Sequence, residues 1–341
     1  MNLKELAQTL GLSQTTVSRA LNGYPEVSEA TRERVLSAAR RFDYSPNTRA
    51  RSLATGRSMT IGHVIPVSTQ HEMVNPVFGD FIAGAGETYS GAGYDMMLSL
   101  VDDGAEARVY RELRAKGHVD GIIVHGPKMM EPRIPLLTDL GLPFVVHGRA
   151  SDVNLPYSWL DVNNTRAFRR AAEFLLDLGH RRIALVNGLE EMDFAHRRRD
   201  GFEAALSARG LQPDPSLMRS GEMTEVYGYR AARDMLDRAD APTAFLSASM
   251  ICAIGIRRAI QDAGLIMGRD VSVITHDDDL SYLRNGDTVP LFTATRSSVR
   301  EAGRRCARML LDLIEAPGSG PAQHLMEADL TVGQSTGPAP T

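Results

Sequence analysis

The sequence predicts an α/β protein in which a small all-helical head precedes a two-lobed body of parallel sheets. Three observations carry that prediction. Residues 1–58 hold nine basic against five acidic side chains, whereas the remainder reverses the sign and brings the whole chain of 341 residues to a net charge of −4. Up to Tyr44 the apolar residues follow helical spacing alone, and from Thr60 onward short apolar runs alternate with amphipathic stretches. A chain this long exceeds one ordinary core and divides into two or three domains.

At 43% hydrophobic and 23% charged residues the composition is that of a globular protein, and apolar runs such as GIIVHG are far shorter than a membrane span. The opening NLKELAQTL carries Lys4 and Glu5 and has no apolar signal region, so a cytoplasmic protein without a membrane partner is expected. Cys252 and Cys306 stand in no CxxC or Cys/His spacing and read as small buried side chains.

In the head, Leu3, Leu6, Ala7 and Leu10 share one face of a helix that Gly11 ends, and Val17, Ala20 and Leu21 mark the inner side of a second. Ser13 stands where it can cap that second helix, which leaves Gln14, Thr15, Ser18 and Arg19 on its polar side. Ser28 begins a third helix whose Ala30, Val35, Leu36, Ala39 and Phe42 are expected to close the core. Two short helices across a tight turn are the geometry in which the second enters the major groove of DNA. The residue types suit base edges: glutamine pairs with adenine, threonine touches a thymine methyl, and arginine forks onto guanine O6 and N7. A plain αα-hairpin has the same periodicity, and only the basic terminus separates the two readings.

After Tyr44, SPNTRARSLATGRS combines a proline stop, a short Arg-rich helix with Ala50 and Leu53 on one side, and Gly56. It is too short to persist as a helix alone. Spacing fits a flexible linker and a helix ordered on DNA, with Leu53 wedged at a base step, equally well. The expected boundaries are 1–46 for the head, 47–58 for this hinge and 59–341 for the body.

The body alternates in order: TIGHVIP, a helix from Phe78 to Ser90, YDMMLSL, a helix over Ala105–Lys116, VDGIIVH, a helix over Ile134–Leu140, and PFVVHG. A second series runs through AFRRAAEFLLDLG, RIALVNG, HRRRDGFEAALSARG, GYRAARDMLDRA, TAFLSAS, AIGIRRAIQDAG, VSVITHDDD, LFTAT and VREAGRRCARMLLDLIE. Such alternation implies two lobes of parallel sheet, with a small-molecule cleft between them at the carboxyl ends of the strands. Tyr94 and Phe144 are assigned to the core.

Seven stretches follow one another in a recognisable order: SQTTVSRALNG, PNTRARSLATG, NPVFGDFIAGAGE, LGHRRIALVNG, RRRDGFEAAL, GRDVSVITHDDD and VPLFTAT. In them the chain resembles the lactose/galactose-repressor (LacI/GalR) family of bacterial transcription regulators over nearly its full length. Within it, LSQTTVSRALNGYPEV and IPLLTDLGLPFVVHGR look most like α-glucoside-operon repressors. The resemblance implies a periplasmic-binding-protein-like body, a homodimer on a pseudo-palindromic double-stranded operator, and a small effector, a sugar or in some members a purine. It implies that Gln14, Thr15 and Arg19 read bases, that Ser13, Thr16, Ser18 and Asn22 hold phosphates, and that Asn47, Ala50 and Leu53 belong to a hinge helix in the minor groove. It places the effector against Phe78, Arg198, Asp277 and Arg296, since a guanidinium fork and a carboxylate grip sugar hydroxyls. Trp159, the single tryptophan, lies near Asp161, Asn163 and Asn164 and either stacks on a sugar face or is structural. Many members carry Asn-Asp just before the stretch matching AIGIRRAI. Here Ser249 and Met250 replace that pair, removing a ligand contact or helix cap, and Met250 is expected to line an apolar sub-pocket.

The sequence is read as holding no GxSxG nucleophile elbow, no HExxH and no P-loop lysine, and IAGAGE starts a helix rather than a dinucleotide site. His147, His180, His196 and the run Asp277, Asp278, Asp279 lack metal-ligand spacing. The chain is therefore expected to be no enzyme and to use no cofactor or metal. The competing class is a sugar-binding or sugar-processing body with a protein-interaction hairpin. Affinity for duplex DNA that falls steeply with salt belongs to the first reading alone.

Overall fold

The first helix, α1 (Leu3–Leu10), starts on a reciprocal cap: the Glu5 amide donates to Asn2 Oδ1 at 3.0 Å, and the Asn2 amide donates to the Glu5 carboxylate at 3.0 Å. Gly11 ends it at φ 65°, a left-handed conformation that a side chain resists. Helix α2 (Gln14–Leu21) begins where the Thr16 amide donates to Ser13 Oγ at 3.0 Å, and α3 (Glu29–Arg41) where the Thr31 amide donates to Ser28 Oγ at 3.4 Å. Leu6, Ala7, Val17, Ala20, Val27, Val35, Ala38 and Ala39 form the buried core of this head. Ala30 and Leu36, expected inside, lie on the surface. The helical stripe runs Val35, Ala38, Ala39, Phe42, and Leu36 sits a further 100° or so round the helix from Val35.

The computed structural model describes residues 1–21, 23–44, 56–66, 75–102 and 104–340, in two units, Met1–Met59 and Thr60–Thr341. Asn22, Asn47, Ala50 and Leu53 lie outside the described residues.

In the larger unit, lobe one holds β1 (Thr60–Pro66), β2 (Asp95–Val101), β3 (Gly121–His125), β4 (Phe144–His147), β5 (Ser158–Val162) and the distant β11 (Gln323–Met326), in the order β11-β5-β4-β3-β1-β2. Its helices are α4 (Pro76–Gly91), α5 (Glu106–Lys116), α6 (Arg133–Asp139) and α11 (Val299–Glu315). Lobe two holds β6 (Ile183–Asn187), β7 (Met218–Ser220), β8 (Ala244–Ser247), β9 (Ser272–Asp277), β10 (Thr293–Arg296) and β12 (Asp329–Thr331), in the order β12-β10-β9-β8-β6-β7. All ladders are parallel except β10 with β12. Helices α7 (Asn164–Asp177) and α8 (Asp193–Ala208) cover one face of that sheet; α9 (Glu225–Leu236) and α10 (Met250–Asp262) cover the other. Strand alternation produces this: Ile183 and Leu185 point into the first core, Ala184 and Val186 into the second.

The chain passes between lobes from β5 to α7 through Asn163, from β10 to α11 through Ser297 and Ser298, and from β11 to β12 through Glu327 and Ala328. The first and third crossings are tied together: Asn163 Nδ2 donates to Glu327 Oε1 at 3.0 Å, and the Asn163 amide to Met326 O at 2.8 Å.

Candidate functional site

On the head, α2 presents Gln14, Thr15 and Arg19 to solvent, with Thr16 and Ser18 half-buried beside them. Val17 and Ala20 fix the opposite side in the core, so burial alone aims the polar row outward. Ser13 Oγ and Thr16 Oγ1 lie 2.8 Å apart at the amino end of α2, where the helix dipole favours an anion such as phosphate. Two arginines of the basic head serve its scaffold: Arg32 Nη2 donates to Tyr24 O at 2.9 Å, and Arg34 donates to Leu10 O at the end of α1.

Between the lobes of the larger unit lies a cavity of about 810 Å³. It opens at the carboxyl ends of β1 and β3 from lobe one and of β6 and β7 from lobe two, the place where parallel sheets leave room for ligands. Its wall mixes apolar groups (Ile65, Pro76, Phe194, Met223, Ile251) with Lys128, Arg133 and several glutamates. One side is sewn shut. The Asp193 amide donates to Pro127 O at 3.1 Å, Asp193 Oδ1 accepts from the Ser151 amide at 2.8 Å, and Arg197 bridges Asp193 Oδ2 (2.5 Å) to Ser151 Oγ (2.9 Å).

None of the five effector residues taken from the resemblance is on that wall. Phe78 lies directly behind it, edge-on to His125 at 5.2 Å, and Arg198 lies behind Phe194, 4.9 Å from the ring centroid. The remaining three are spread along the crossings. Asp277 Oδ1 accepts from the Asp279 amide at 2.9 Å, Arg296 pairs with the Asp279 carboxylate, and Trp159 on β5 carries the Arg149 guanidinium over its ring at 4.8 Å.

A polar chain links Arg198 and Trp159 across the first crossing. Arg198 Nε donates to Asn164 Oδ1 at 2.8 Å, Asn164 Nδ2 donates to Asp161 Oδ1 at 3.3 Å, and Arg149 Nε donates to Asp161 Oδ2 at 2.8 Å. Arg198 also donates to Ala248 O at 2.6 Å and is flanked by the Phe168 and Phe194 rings. Burial lowers the Arg198 guanidinium to about 10 and lifts the Asp278 carboxyl to about 7, each group partly restoring the charge of the other. Burial likewise raises Asp277 and Asp161.

Sequence reasoning passed over His63 and His125 and weighed His147 only as a metal ligand, yet the three imidazoles cluster at the lobe-one wall. His63 Nδ1 and His125 Nε2 lie 2.9 Å apart, Tyr89 Oη is 3.4 Å from His63 Nε2, and His147 stacks on Phe81 at 4.3 Å. His63 and His125 stand on β1 and β3 among hydrophobic neighbours, with no spacing in the sequence to announce them.

Three further expectations are corrected. Met250 packs into the α9–α10 core rather than a ligand sub-pocket, because it starts the turn that faces Ala184 and Phe245; its neighbour Ile251 reaches the cavity. Nor is the helix cap lost, since Ser249 Oγ accepts from the Cys252 amide at 3.3 Å. The stretch GQSTG at 333–337 does carry G-x-S-x-G spacing, and its geometry leaves no nucleophile. Ser335 is fully buried, donates to Val273 O and accepts from the Thr293 amide at 2.8 Å, fastening the tail to the sheet.

Residues 2–47 match the description of bacterial regulatory proteins of the lacI family, and residues 172–336 that of a periplasmic binding protein-like domain. The HTH-type transcriptional regulator AglR of Rhizobium meliloti (strain 1021) is 46% identical over 341 residues, 100% of this chain and 95% of that protein. The chain belongs to the lacI family. The HTH-type transcriptional regulator CelR of Thermobifida fusca is 31% identical over 334 residues, 98% of this chain and 97% of its own. Of solved structures, a CelR–cellobiose complex matches with a TM-score of 0.72 at 30% identity, covering 98% of this chain and 99% of that one. The lac repressor dimer bound to operator and the anti-inducer ONPF matches with a TM-score of 0.81 at 26% identity, covering 99% of each chain. As a lacI-family protein the chain is an HTH-type, DNA-binding transcription regulator, and these relatives are regulators, not enzymes. Among the described residues no helix is long and apolar enough to cross a membrane.

Proposed function

We propose that this lacI-family protein is a cytoplasmic repressor that reads a pseudo-palindromic operator as a homodimer and answers to a small sugar, an α-glucoside, held between its lobes. The observation that carries the reading is the pairing, in one chain, of a base-reading row on a capped helix with an interlobe cavity at the carboxyl ends of two parallel sheets. A relative of the same fold holds cellobiose, and another is a dimer on its operator. Edge strand β2 exposes Leu98 and Leu100, apolar surface that suits a second copy. Residues 1–46 act as the reading head and 47–58, with Asn47, Ala50 and Leu53, as the minor-groove hinge ahead of the body at 59–341.

Phe78 and Arg198 back the cavity wall through His125 and Phe194, so a ligand that turns either ring aside reaches them. Trp159, Asp277 and Arg296 join as the crossings bend. Sugar binding shifts the lobe arrangement only by its difference in affinity for the two forms, and the hinges carry that shift to the DNA.

The test starts by selecting duplexes from a random library with the full-length protein; inverted half-sites are expected. On the selected site, Arg19→Ala should forfeit roughly 1–3 kcal/mol of base discrimination and keep weak, salt-sensitive binding. Specific binding equal to that of the unaltered protein in a gel shift would overturn the assignment. Asp277→Ala should hold the operator and no longer release it on sugar addition; ordinary release would remove Asp277 from the effector site.

A further inference from the structure

Among the described residues, carboxylates outnumber cations on the cavity wall. Glu106, Glu131, Glu191, Glu222 and Glu225 line it, against Lys128 and Arg133. Both cations are already engaged: Arg133 grips Glu131 through two bonds of 2.7 Å, and Lys128 reaches Glu191 at 3.2 Å. Helix amino ends ordinarily draw anions. Here α5, α8 and α9, which begin at or beside the cavity, each carry an acid of their own in the first turn: Glu106, Asp193 and Glu225. The positive end of each dipole is therefore met from within the chain.

A ligand phosphate would enter this cleft with two negative charges and find its nearest cations bonded to glutamates. Turning Arg133 or Lys128 toward it would strand a carboxylate, a buried one in the case of Glu131. A neutral polyol meets no such opposition. Its hydroxyls donate to the same carboxylates, and its CH faces suit Phe194, Met223 and Ile251 from lobe two and Ile65 and Pro76 from lobe one. The volume of about 810 Å³ leaves room for more than one pyranose ring.

We propose that the cavity admits uncharged oligosaccharides of about disaccharide size and turns away their phosphorylated forms, so that the regulator senses a sugar before it is phosphorylated. This rests on the sugar-effector reading above and adds to it the charge of the ligand.

The experiment is calorimetric titration of the full chain with two matched pairs, trehalose against trehalose 6-phosphate and sucrose against sucrose 6-phosphate, with operator release followed in parallel. In at least one pair the neutral sugar is expected to bind and the phosphorylated one to bind roughly tenfold or more weakly, a factor that 1.4 kcal/mol of repulsion supplies. Glu191→Gln removes a carboxylate and leaves Lys128 unpaired, and it should narrow that ratio; its operator binding without sugar shows that the variant is folded. A phosphorylated sugar that binds as tightly as its parent, or a ratio unmoved by Glu191→Gln, overturns the charge selection and leaves the sugar reading standing. Binding of no sugar at all, with maltose and cellobiose added to the panel and a nucleoside such as cytidine bound instead, overturns the sugar reading and the selection with it.

Discussion

Three imidazoles at the foot of the cavity pose a chemical question: what keeps them uncharged? Burial holds His63 at about 3 and His147 at about 4, and it takes His125 well below its usual range, with His63, His147 and Arg133 pushing the same way. Each is neutral in the native protein and protonates near its ordinary 6.5 once unfolded. The unfolded chain therefore binds more protons over that interval, and stability rises with pH. The contribution is complete above about 6.5 and drains away as pH falls toward 4. Between pH 7.5 and 5 the larger unit should lose about 2 kcal/mol per imidazole, read as a drop in the urea midpoint. A His147→Leu variant should show a shallower drop. A midpoint that stays level between those pH values would mean the rings are solvated.

At the scale of elements, helix α4 and helix α11 cross so closely that only hydrogen fits at the contact. A Cβ on Gly84 would stand 2.0 Å from Arg300 O, and one on Gly303 2.2 Å from Phe81 O. Backbone cannot yield as a side-chain tip does, so Gly303→Val should force the helices apart and cost about 2–4 kcal/mol. Thermal unfolding reads this directly, and an unchanged Tm would place the crossing elsewhere. The paired helices and the longer strands were legible in the sequence because each buries a periodic face: VREAGRRCARMLLDLIE and VDGIIVH admit little else. Strands β5, β7, β11 and β12 were missed because three to five residues of mixed polarity, such as QHLM and DLT, carry no period. The same contrast divides the sites. The row Gln14, Thr15, Arg19 follows from helical spacing within one short segment, whereas Lys128 and Glu131 come from the loop after β3, Glu191 from that after β6 and Glu222 from that after β7, and they meet only in three dimensions.

At the scale of the larger unit, the two lobes are joined by three chain crossings and by a seam of hydrogen bonds and ion pairs. Beside the Lys128–Glu191 pair and the bonds of Ser281 to Asp80, the seam next to the cavity is built on Asp193, which accepts from the Ser151 amide of lobe one and aims Arg197 at the Ser151 hydroxyl. It stands next to Met192, a cavity residue, so loosening these bonds is expected to disturb the lobe arrangement that a ligand meets. Hydrogen bonds to a charged group are each worth about 1.5–3 kcal/mol. Asp193→Ala should therefore weaken sugar binding by about tenfold or more while leaving the reading head untouched, because the closed form becomes a smaller share of the population. Asp193→Asn, which keeps an acceptor for the Ser151 amide and loses the charge facing Arg197, should fall between the two. Titration of the two variants against the sugar that binds the unaltered protein decides the matter. Equal affinity in all three would show that the seam forms independently of the ligand, and contact between the lobes would then be sought in Asn163, Asn164 and Glu327 at the crossings.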